Sequence, residues 1–393
     1  MELTDEEVHI DLGRRNPWPV CSGCGRRCKS VHSASERIVR HLDVFQRRCF
    51  LHFEQSLVQC KYCGVKAESN QLVDPFKRGS KAFRRYVGQL CKMLPLSQVA
   101  RHVGISECAV KDIDKQYLAS NYAAPDFTKL RRLAVDEIAW RKGHKYVTVV
   151  LDHDSGEVVW TGEGRSKKIF SRFFKKLGPE ICSKITAVSM DMAASYSSTV
   201  KEYCPNAQIV FDHFHVTKHL NDMVNETRRE TIAQLGYKER RELKGKRFVL
   251  LRRFDKLAPD KKASLDKLIE INSNLWAAYI MKELFNCFWE AKNLNAATEV
   301  LENWLIMARE SELPALHKAA KMIEKHRDGL LAYHVHHLTN GPLEGLNTKI
   351  NVLRRSRYGF HDVEYFGLKI RQLSIERTGR NYRRINHPVA ANP

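Results

Sequence analysis

Residues 184–198, KITAVSMDMAASYSS, start as a buried strand and then depart from one. Ile185, Ala187 and Val188 lead into Asp191, and small polar residues follow. A carboxylate at the joint between a strand and a helix has two readings. It caps the next helix, a common role for Asp, or it is held at a sheet edge for chemistry. The stretch alone leaves both open.

Working outward, LRRLAVDEIAW (130–140), KYVTVVLD (145–152) and EVVWTG (157–162) read as three strands joined by the turns RKGH and HDSG. SKKIFSRFFKKLG (166–178) places Ile169, Phe170, Phe173, Phe174 and Leu177 at helical spacing. Beyond Asp191 come a short helix to Tyr203 and a strand, AQIVFD (207–212). The order β-β-β-α-β-α-β predicts an antiparallel meander followed by parallel strands with crossover helices. This is an α/β class with a mixed sheet, typical of a ribonuclease H-like core. From about 216 to 335 the pattern is helical and charged. Trp276, Trp289 and Trp304 fall on apolar helical faces, where core packing is expected.

The first 75 residues carry Cys21, Cys24, Cys28, Cys49, Cys60 and Cys63. Four of them form two pairs of one design, CSGCG (21–25) and CKYCG (60–64). Two such turns, each offering two sulfurs to one side with a permissive Gly25 or Gly64 behind, suit one tetrahedral Zn²⁺ held by Cys21, Cys24, Cys60 and Cys63. A redox role explains one pair but not two with the same trailing Gly. Cys28 and Cys49 are available as substitute ligands, but as unpaired cysteines they read as small buried hydrophobes.

LSQVARHVGISECAVKDI (96–113) has the pattern of a helix-turn-helix: Ala100 where two helices approach, Gly104 at the turn, and aliphatic residues at Val99, Val103, Val110 and Ile113. Ser106 is a candidate N-cap, and Ser106, Glu107 and Lys111 are candidate DNA contacts. A generic helical hairpin gives similar periodicity. The charge balance favours the DNA reading. With 66 Lys and Arg against 45 Asp and Glu, the 393-residue chain has a net charge of +21, which draws it to polyanions. Any DNA affinity should fall steeply with salt. No apolar run approaches the ~20 residues of a membrane span, and the acidic opening MELTDEEVHIDL lacks the features of a signal peptide. An intracellular, cytoplasmic protein with no membrane partner is expected.

Two acids stand out by position. Asp136 lies in the first strand of the meander and Asp191 ends the fourth. In a ribonuclease H-like sheet those strands are neighbours. Successive strand side chains face opposite ways, so only one of Asp136 and Glu137 is expected to face Asp191. Asp152 and Asp154 flank a hairpin and read as turn formers. Paired carboxylates repel unless a cation lies between them, and hard oxygen ligands call for Mg²⁺ or Mn²⁺. Two such ions ~3.5–4 Å apart activate a nucleophile and stabilise the leaving oxygen at a phosphodiester. Glu344 is the candidate third ligand. Asn340, Gly341 and Pro342 mark a helix start, and Glu344, Asn347, Thr348 and Asn351 share a face. Spacing alone does not choose Glu344 over Glu364.

These residues resemble a family. CSGCG…CKYCG, LSQVARHVGIS, VDEIAWRKGHKYVTVVLD, SMDMAASY, FDHFHVTKHLN and NGPLEGLNTKI…RSRYGF look like a DDE transposase of bacterial insertion sequences, in the ISL-three (ISL3) family. The resemblance implies a catalytic triad of Asp136, Asp191 and Glu344 holding two Mg²⁺ or Mn²⁺ ions. It implies that Asp212 and His215 of DHFH lie near the active site. It also implies that the helical stretch is an insertion splitting the core. The expected organisation is a zinc-binding module (1–75), a helix-turn-helix (76–125), the first part of the core (126–220), an all-helical insertion (221–335), the last helical part of the core (336–376) and a basic tail (377–393).

The expected reaction is cleavage at terminal inverted repeats, then attack of the freed 3′-hydroxyl on target DNA. Asn347, Lys349, Arg354, Arg355 and Arg357 are candidate DNA contacts near Glu344. The partner is double-stranded DNA, with a homodimer pairing two ends and a place on the bacterial nucleoid. Two other readings remain: a DNA-binding regulator with an inactive core, and a zinc-dependent hydrolase built on Asp212 and His215.

Overall fold

The computed structural model describes residues 1–14, 17–122, 125–141, 143–237, 240–241 and 247–378. From residue 379 on, the basic tail lies outside them. The chain forms two compact units: Met1–Ala123 with Arg354–Gly359, and Ala124–Leu353 with Phe360–Pro393.

The first unit opens with strands β1 (Glu2–Leu3), β2 (Glu7–Asp11), β3 (Val31–Arg40), β4 (Arg48–Cys60) and β5 (Gly64–Ala67). They form one sheet in the order β1-β2-β4-β3, with β5 also on β4. Val39, Cys49, Leu51 and Phe53 pack together, which accounts for Cys49 as a buried hydrophobe. Three helices follow: α1 (Lys81–Met93), α2 (Leu96–Val103) and α3 (Glu107–Asn121). Ser80 caps α1 through Phe83 N, and Ser106 caps α3 through Ala109 N. Between α2 and α3, Gly104 takes the left-handed conformation at φ 69°. Phe83, Val87, Cys91, Val99, Ala100, Val103 and Val110 form their common core. Helices α1 and α3 meet at Gly88: a Cβ there would lie 2.3 Å from the Tyr117 ring.

The second unit is built on β6 (Arg132–Arg141), β7 (Lys145–Asp152), β8 (Val158–Glu163), β9 (Ala187–Met190) and β10 (Gln208–Phe211). The sheet runs β10-β9-β6-β7-β8. β7 is antiparallel to both its neighbours, whereas β6, β9 and β10 run parallel. This is the mixed sheet expected from the sequence, with the first and fourth strands adjacent. Asp152 accepts from Asp154 N and Ser155 N, shaping the β7–β8 turn.

Helices α4 (Lys167–Leu177), α5 (Pro179–Cys182) and α6 (Ala194–Tyr203) belong to the crossovers. Helix α4 supplies Phe170, Phe173 and Phe174, and α6 supplies Tyr196, to one aromatic cluster. The helical region follows β10 directly: α7 (His213–Gln234), α8 (Arg247–Leu251), α9 (Pro259–Ile271), α10 (Ser273–Leu284), α11 (Asn286–Glu290), α12 (Leu294–Glu310), α13 (Pro314–Lys325), α14 (Arg327–Leu331) and α15 (Tyr333–His336). Among the described residues this region holds no strand. One continuous core runs from Leu133 and Val188 of the sheet through Met223, Phe285 and Trp304 to Leu330. Trp304 is buried, its Nε1 donating to Met281 O at 2.7 Å, and Trp289 is partly buried against the same core. Trp276 departs from the core reading. It is 37% exposed and stacks on Tyr279.

Last come α16 (Gly341–Ser356) and α17 (Val363–Thr378). Helix α17 lies against the sheet, where Phe366 stacks on Trp140 of β6 with ring centroids 6.5 Å apart. Gly367 permits the approach, since a Cβ there would lie 2.5 Å from Thr161 Oγ1 of β8. Among the described residues no helix is long and apolar enough to cross a membrane.

Candidate active site

The register of β6 on β9 sets two acids level. Arg132, Leu133 and Ala134 pair with Ala187, Val188 and Ser189. Two residues further along each parallel strand stand Asp136 and Asp191. Asp191 does not cap α6: the cap position is Ala193, and α6 has no side-chain cap. Instead Asp191 Oδ1 accepts from Ala193 N at 3.0 Å, a local turn that fixes the carboxylate just past the strand end. The question raised by this stretch is thus answered against the capping reading.

Asp136 is held from two sides. Its Oδ1 accepts from Glu137 N at 2.8 Å, and its Oδ2 accepts from Asn347 Nδ2 of α16 at 2.7 Å. Burial pushes the Asp136 carboxyl up to about 6, and the charges of Glu137 and Asp191 add to this while His215 opposes it. Glu137 is raised too, first by burial and then by Asp191. Alternation still holds in the strand: Glu137 is opposite Thr148, whose hydroxyl meets Tyr196 of α6, whereas Asp136 meets α16. Because Asp191 lies past the end of its strand, both acids feel its charge. Arg165 lies 3.6 Å from Glu137 and offsets part of that charge.

Glu344 occupies the first turn of α16, half-buried and one turn before Asn347. Burial raises its carboxyl, with a further push from Asp212 and an opposing pull from His215. Asp212, at the end of β10, is 3% exposed. Its Oδ1 accepts from Asn340 N at 3.4 Å, and its buried Oδ2 has no hydrogen-bond donor among the described residues, with His215 Nε2 at 3.9 Å. His215 therefore acts electrostatically on Asp136, Asp212 and Glu344 alike. Asn340, 1% exposed, joins the elements by donating from Nδ2 to Val135 O. Glu364 lies exposed in the first turn of α17.

The donor set fits a hard divalent cation: carboxylates with one imidazole beside them, Asp136 and Glu137 both raised by burial and by a neighbouring carboxylate's charge, and a buried carboxylate oxygen that lacks a donor among the described residues. Asp136, Asp191 and Glu344 do not all approach within 4.8 Å of one another; among the described residues the cysteine quartet forms such a group. The zinc-hydrolase reading finds no compact ligand set around Asp212 and His215 among the described residues.

In the first unit, the ligand atoms of Cys21, Cys24, Cys60 and Cys63 all lie within 4.8 Å of one another. Cys24 Sγ and Cys60 Sγ are 3.6 Å apart, close to the ~3.8 Å edge of a Zn–S tetrahedron. Gly25 and Gly64 turn the two knuckles at φ 70° and 69°. Backbone N–H groups of Tyr62 and Cys63 pull the Cys60 thiol down to about 6, toward the thiolate a metal requires. A proton shared with Cys24 holds Cys63 up instead, because four thiolates repel without a cation. Cys28 packs beside them as a buried side chain.

The predicted DNA contacts occupy varied settings. Ser106 and Glu107 are exposed at the start of α3, and Lys111 is half-buried. Lys349 and Arg355 are exposed on α16, and Arg354 is half-buried. Arg357 falls one residue past the helix, half-buried, with Nη2 donating to Cys91 O at 2.7 Å. Asn347 is half-buried on Asp136. Sequence reasoning missed the linkage made by Asn340 and the charge that Asp191 exerts on Glu137. The one available signal for Asn340 was its place next to the predicted helix start.

A mixed sheet of this order, with acids beside adjacent parallel strands, is compatible with one class above all, the enzymes of nucleic-acid phosphoryl transfer, and the comparisons with known proteins give that class. Residues 133–370 match the ISL3-type DDE family model described as "Transposase". Residues 18–63 match the zinc-finger of transposase IS204/IS1001/IS1096/IS1165. The chain belongs to the ISL3 family of DDE transposases, DNA-cleaving and strand-transferring enzymes of insertion sequences. It is 33% identical over 356 residues to the transposase for insertion sequence element IS1001 of Bordetella parapertussis, covering 90% of this chain and 88% of that one. It is 29% identical over 369 residues to the transposase for insertion sequence element IS1557 of Mycobacterium tuberculosis, covering 88% and 83%. The cysteine quartet and the zinc-finger match together support a structural zinc.

Proposed function

We propose that Asp136, Asp191 and Glu344 are the catalytic acids and hold two Mg²⁺ or Mn²⁺ ions. One observation carries the reading: the register of β6 on the parallel β9 sets Asp136 level with Asp191 just past the end of β9, and Asp136 accepts a hydrogen bond from Asn347, one helical turn after Glu344. When bound, such ions activate a water or hydroxyl and stabilise the leaving oxygen of a phosphodiester. The chain's part is placement. Glu137 N and Asn347 orient the Asp136 carboxylate, Ala193 N orients Asp191, and His215 offsets negative charge between Asp136 and Glu344. Asp212 contributes a buried carboxylate beside Glu344.

On this reading the enzyme hydrolyses the phosphodiester at each element end, and the freed 3′-hydroxyl attacks target DNA at the same site. Helices α2 and α3 act as a helix-turn-helix and, with the zinc module, read the terminal inverted repeats; Ser106, Glu107 and Lys111 face the DNA. Lys349, Arg354, Arg355 and Arg357 hold backbone phosphates. Two copies pair the two ends as a homodimer, working in the cytoplasm on nucleoid DNA.

The test is cleavage. Duplex DNA carrying the terminal inverted repeat is incubated with the protein and Mg²⁺, and 3′-end nicking is followed. Asp191→Asn is expected to abolish nicking while DNA affinity stays at the wild-type value. Undiminished cutting by that variant removes the triad from the mechanism.

A further inference from the structure

The first unit carries three aromatic side chains that its own fold does not use. Phe45, Phe76 and Tyr358 are 84%, 81% and 83% exposed. Each also has its backbone in the left-handed region, at φ 50°, 61° and 56°. Exposure alone is ordinary. The combination is not, because a bulky side chain in this region crowds its Cβ, and Gly or Asn adopts it more readily. A ring left in water gains none of the stabilisation that burial gives. These residues weaken the folded chain without packing in it, as expected when a side chain serves a partner.

The local geometry presents two of the rings outward. Phe45 stands at the tip of the β3–β4 hairpin. Val44 N donates to Arg47 O and Arg47 N to Val44 O, each at 3.0 Å. Phe45 and Gln46 (φ 65°) are therefore the two central residues of a tight turn usually made by Asn-Gly. Phe76 stands in a turn closed by Lys77 N donating to Asp74 O at 3.2 Å. Both sites read Phe-x-Arg, with Arg47 after Phe45 and Arg78 after Phe76. A projecting ring with a guanidinium two residues on, in a chain of net charge +21, matches the chemistry of duplex DNA: stacked bases inside, phosphates beside them.

We propose that Phe45 and Phe76 are wedges that enter base-pair steps of duplex DNA when the first unit binds it. The proposal rests on the DNA-end recognition proposed above and adds how the contact is made. Each ring partly unstacks one step, and the arginine that follows lies near the adjacent phosphate.

The full-length chain is compared with Phe45→Asn, Phe76→Asn and the double variant. Asn suits the left-handed conformation, so the variants should melt no lower than wild type. Affinity for a duplex carrying the inverted repeat should fall roughly tenfold per ring removed. The salt slope should stay unchanged, because no phosphate contact is lost. 2-Aminopurine placed at successive steps should brighten with wild type and stay dark with the double variant. A double variant that matches wild type in affinity and brightening overturns the wedges and leaves the DNA reading standing. Weaker self-association with unchanged DNA affinity assigns the rings to a protein contact and likewise overturns the proposal. A wild-type chain that does not bind the duplex removes both readings.

Discussion

Asn347 Nδ2 donates to Asp136 Oδ2 across 2.7 Å, joining the first strand of the central sheet to a helix 211 residues further along the chain. The contact makes α16 a carrier of both Glu344 and the group that orients Asp136. It also separates two roles for Asn347, as a DNA contact or as a support for the acid.

Asn347→Ala tests that separation. Without the amide, Asp136 keeps the bond from Glu137 N and loses the one that fixes its second oxygen. Groups that orient a metal ligand typically matter by ~10–100-fold. Cleavage at fixed Mg²⁺ should drop within that range and recover partly as Mg²⁺ is raised. Affinity for the inverted repeat, measured without metal, should stay unchanged. A fall in affinity with normal Mg²⁺ dependence assigns Asn347 to DNA instead.

The zinc module gives a second expectation. Cys60 meets Cys24 of the other knuckle across 3.6 Å, and backbone N–H groups lower its thiol toward the thiolate form. Cys60→Ser should reduce bound zinc from one ion per chain to none, as read by elemental analysis. Because ligation and folding are linked in small zinc modules, hydrogen exchange should speed up across residues 21–67. Peptides of the β6–β10 sheet should exchange as in wild type. Retention of a full zinc ion places the metal elsewhere.

Much of this architecture is legible in the sequence, for reasons that particular residues show. KYVTVVLD gives its strand the bounds Lys145–Asp152 because turn residues flank an unbroken β-branched run. The paired knuckles are legible because their chemistry lies within five residues each. Contacts that depend on packing are not. Nothing in the sequence around Asn347 indicates which strand its amide reaches. Trp276 sits on an apolar helical face yet stays partly exposed, since periodicity tells which side is apolar but not what covers it. Alternation turns Asp136 to α16 and Glu137 to the side of Thr148, but it does not anticipate that Asp191, past its strand end, acts on both.

Gly88 is a third target. Its Cα lies so close to Tyr117 that a Cβ would come within 2.3 Å of the ring's Cγ and 2.8 Å of its Cβ. Neither atom moves freely, since both are tied to the α3 backbone. Gly88→Ala should therefore push α1 and α3 apart. Overpacking of this kind costs about 1–3 kcal/mol, outweighing the gain in helix propensity of about 1 kcal/mol. A lower denaturation midpoint for the first unit is expected; a higher one would show that α1 and α3 are not in close contact.

Ser106 separates helix stability from DNA recognition in a single pair of variants. Its hydroxyl accepts from Ala109 N at 3.2 Å and caps α3, while the residue itself is exposed at the end proposed to face DNA. Ser106→Ala removes the cap and should cost roughly 1 kcal/mol. Ser106→Asp keeps an accepting oxygen and adds a favourable charge at the helix N-terminus, so stability should hold or rise slightly. Toward DNA the order reverses. The new carboxylate faces phosphate, and affinity should fall several-fold, more at low salt than at high. Ser106→Ala should bind better than Ser106→Asp despite being the less stable protein. Equal affinity in the two variants, measured by titration at two salt concentrations, would place the start of α3 away from the DNA.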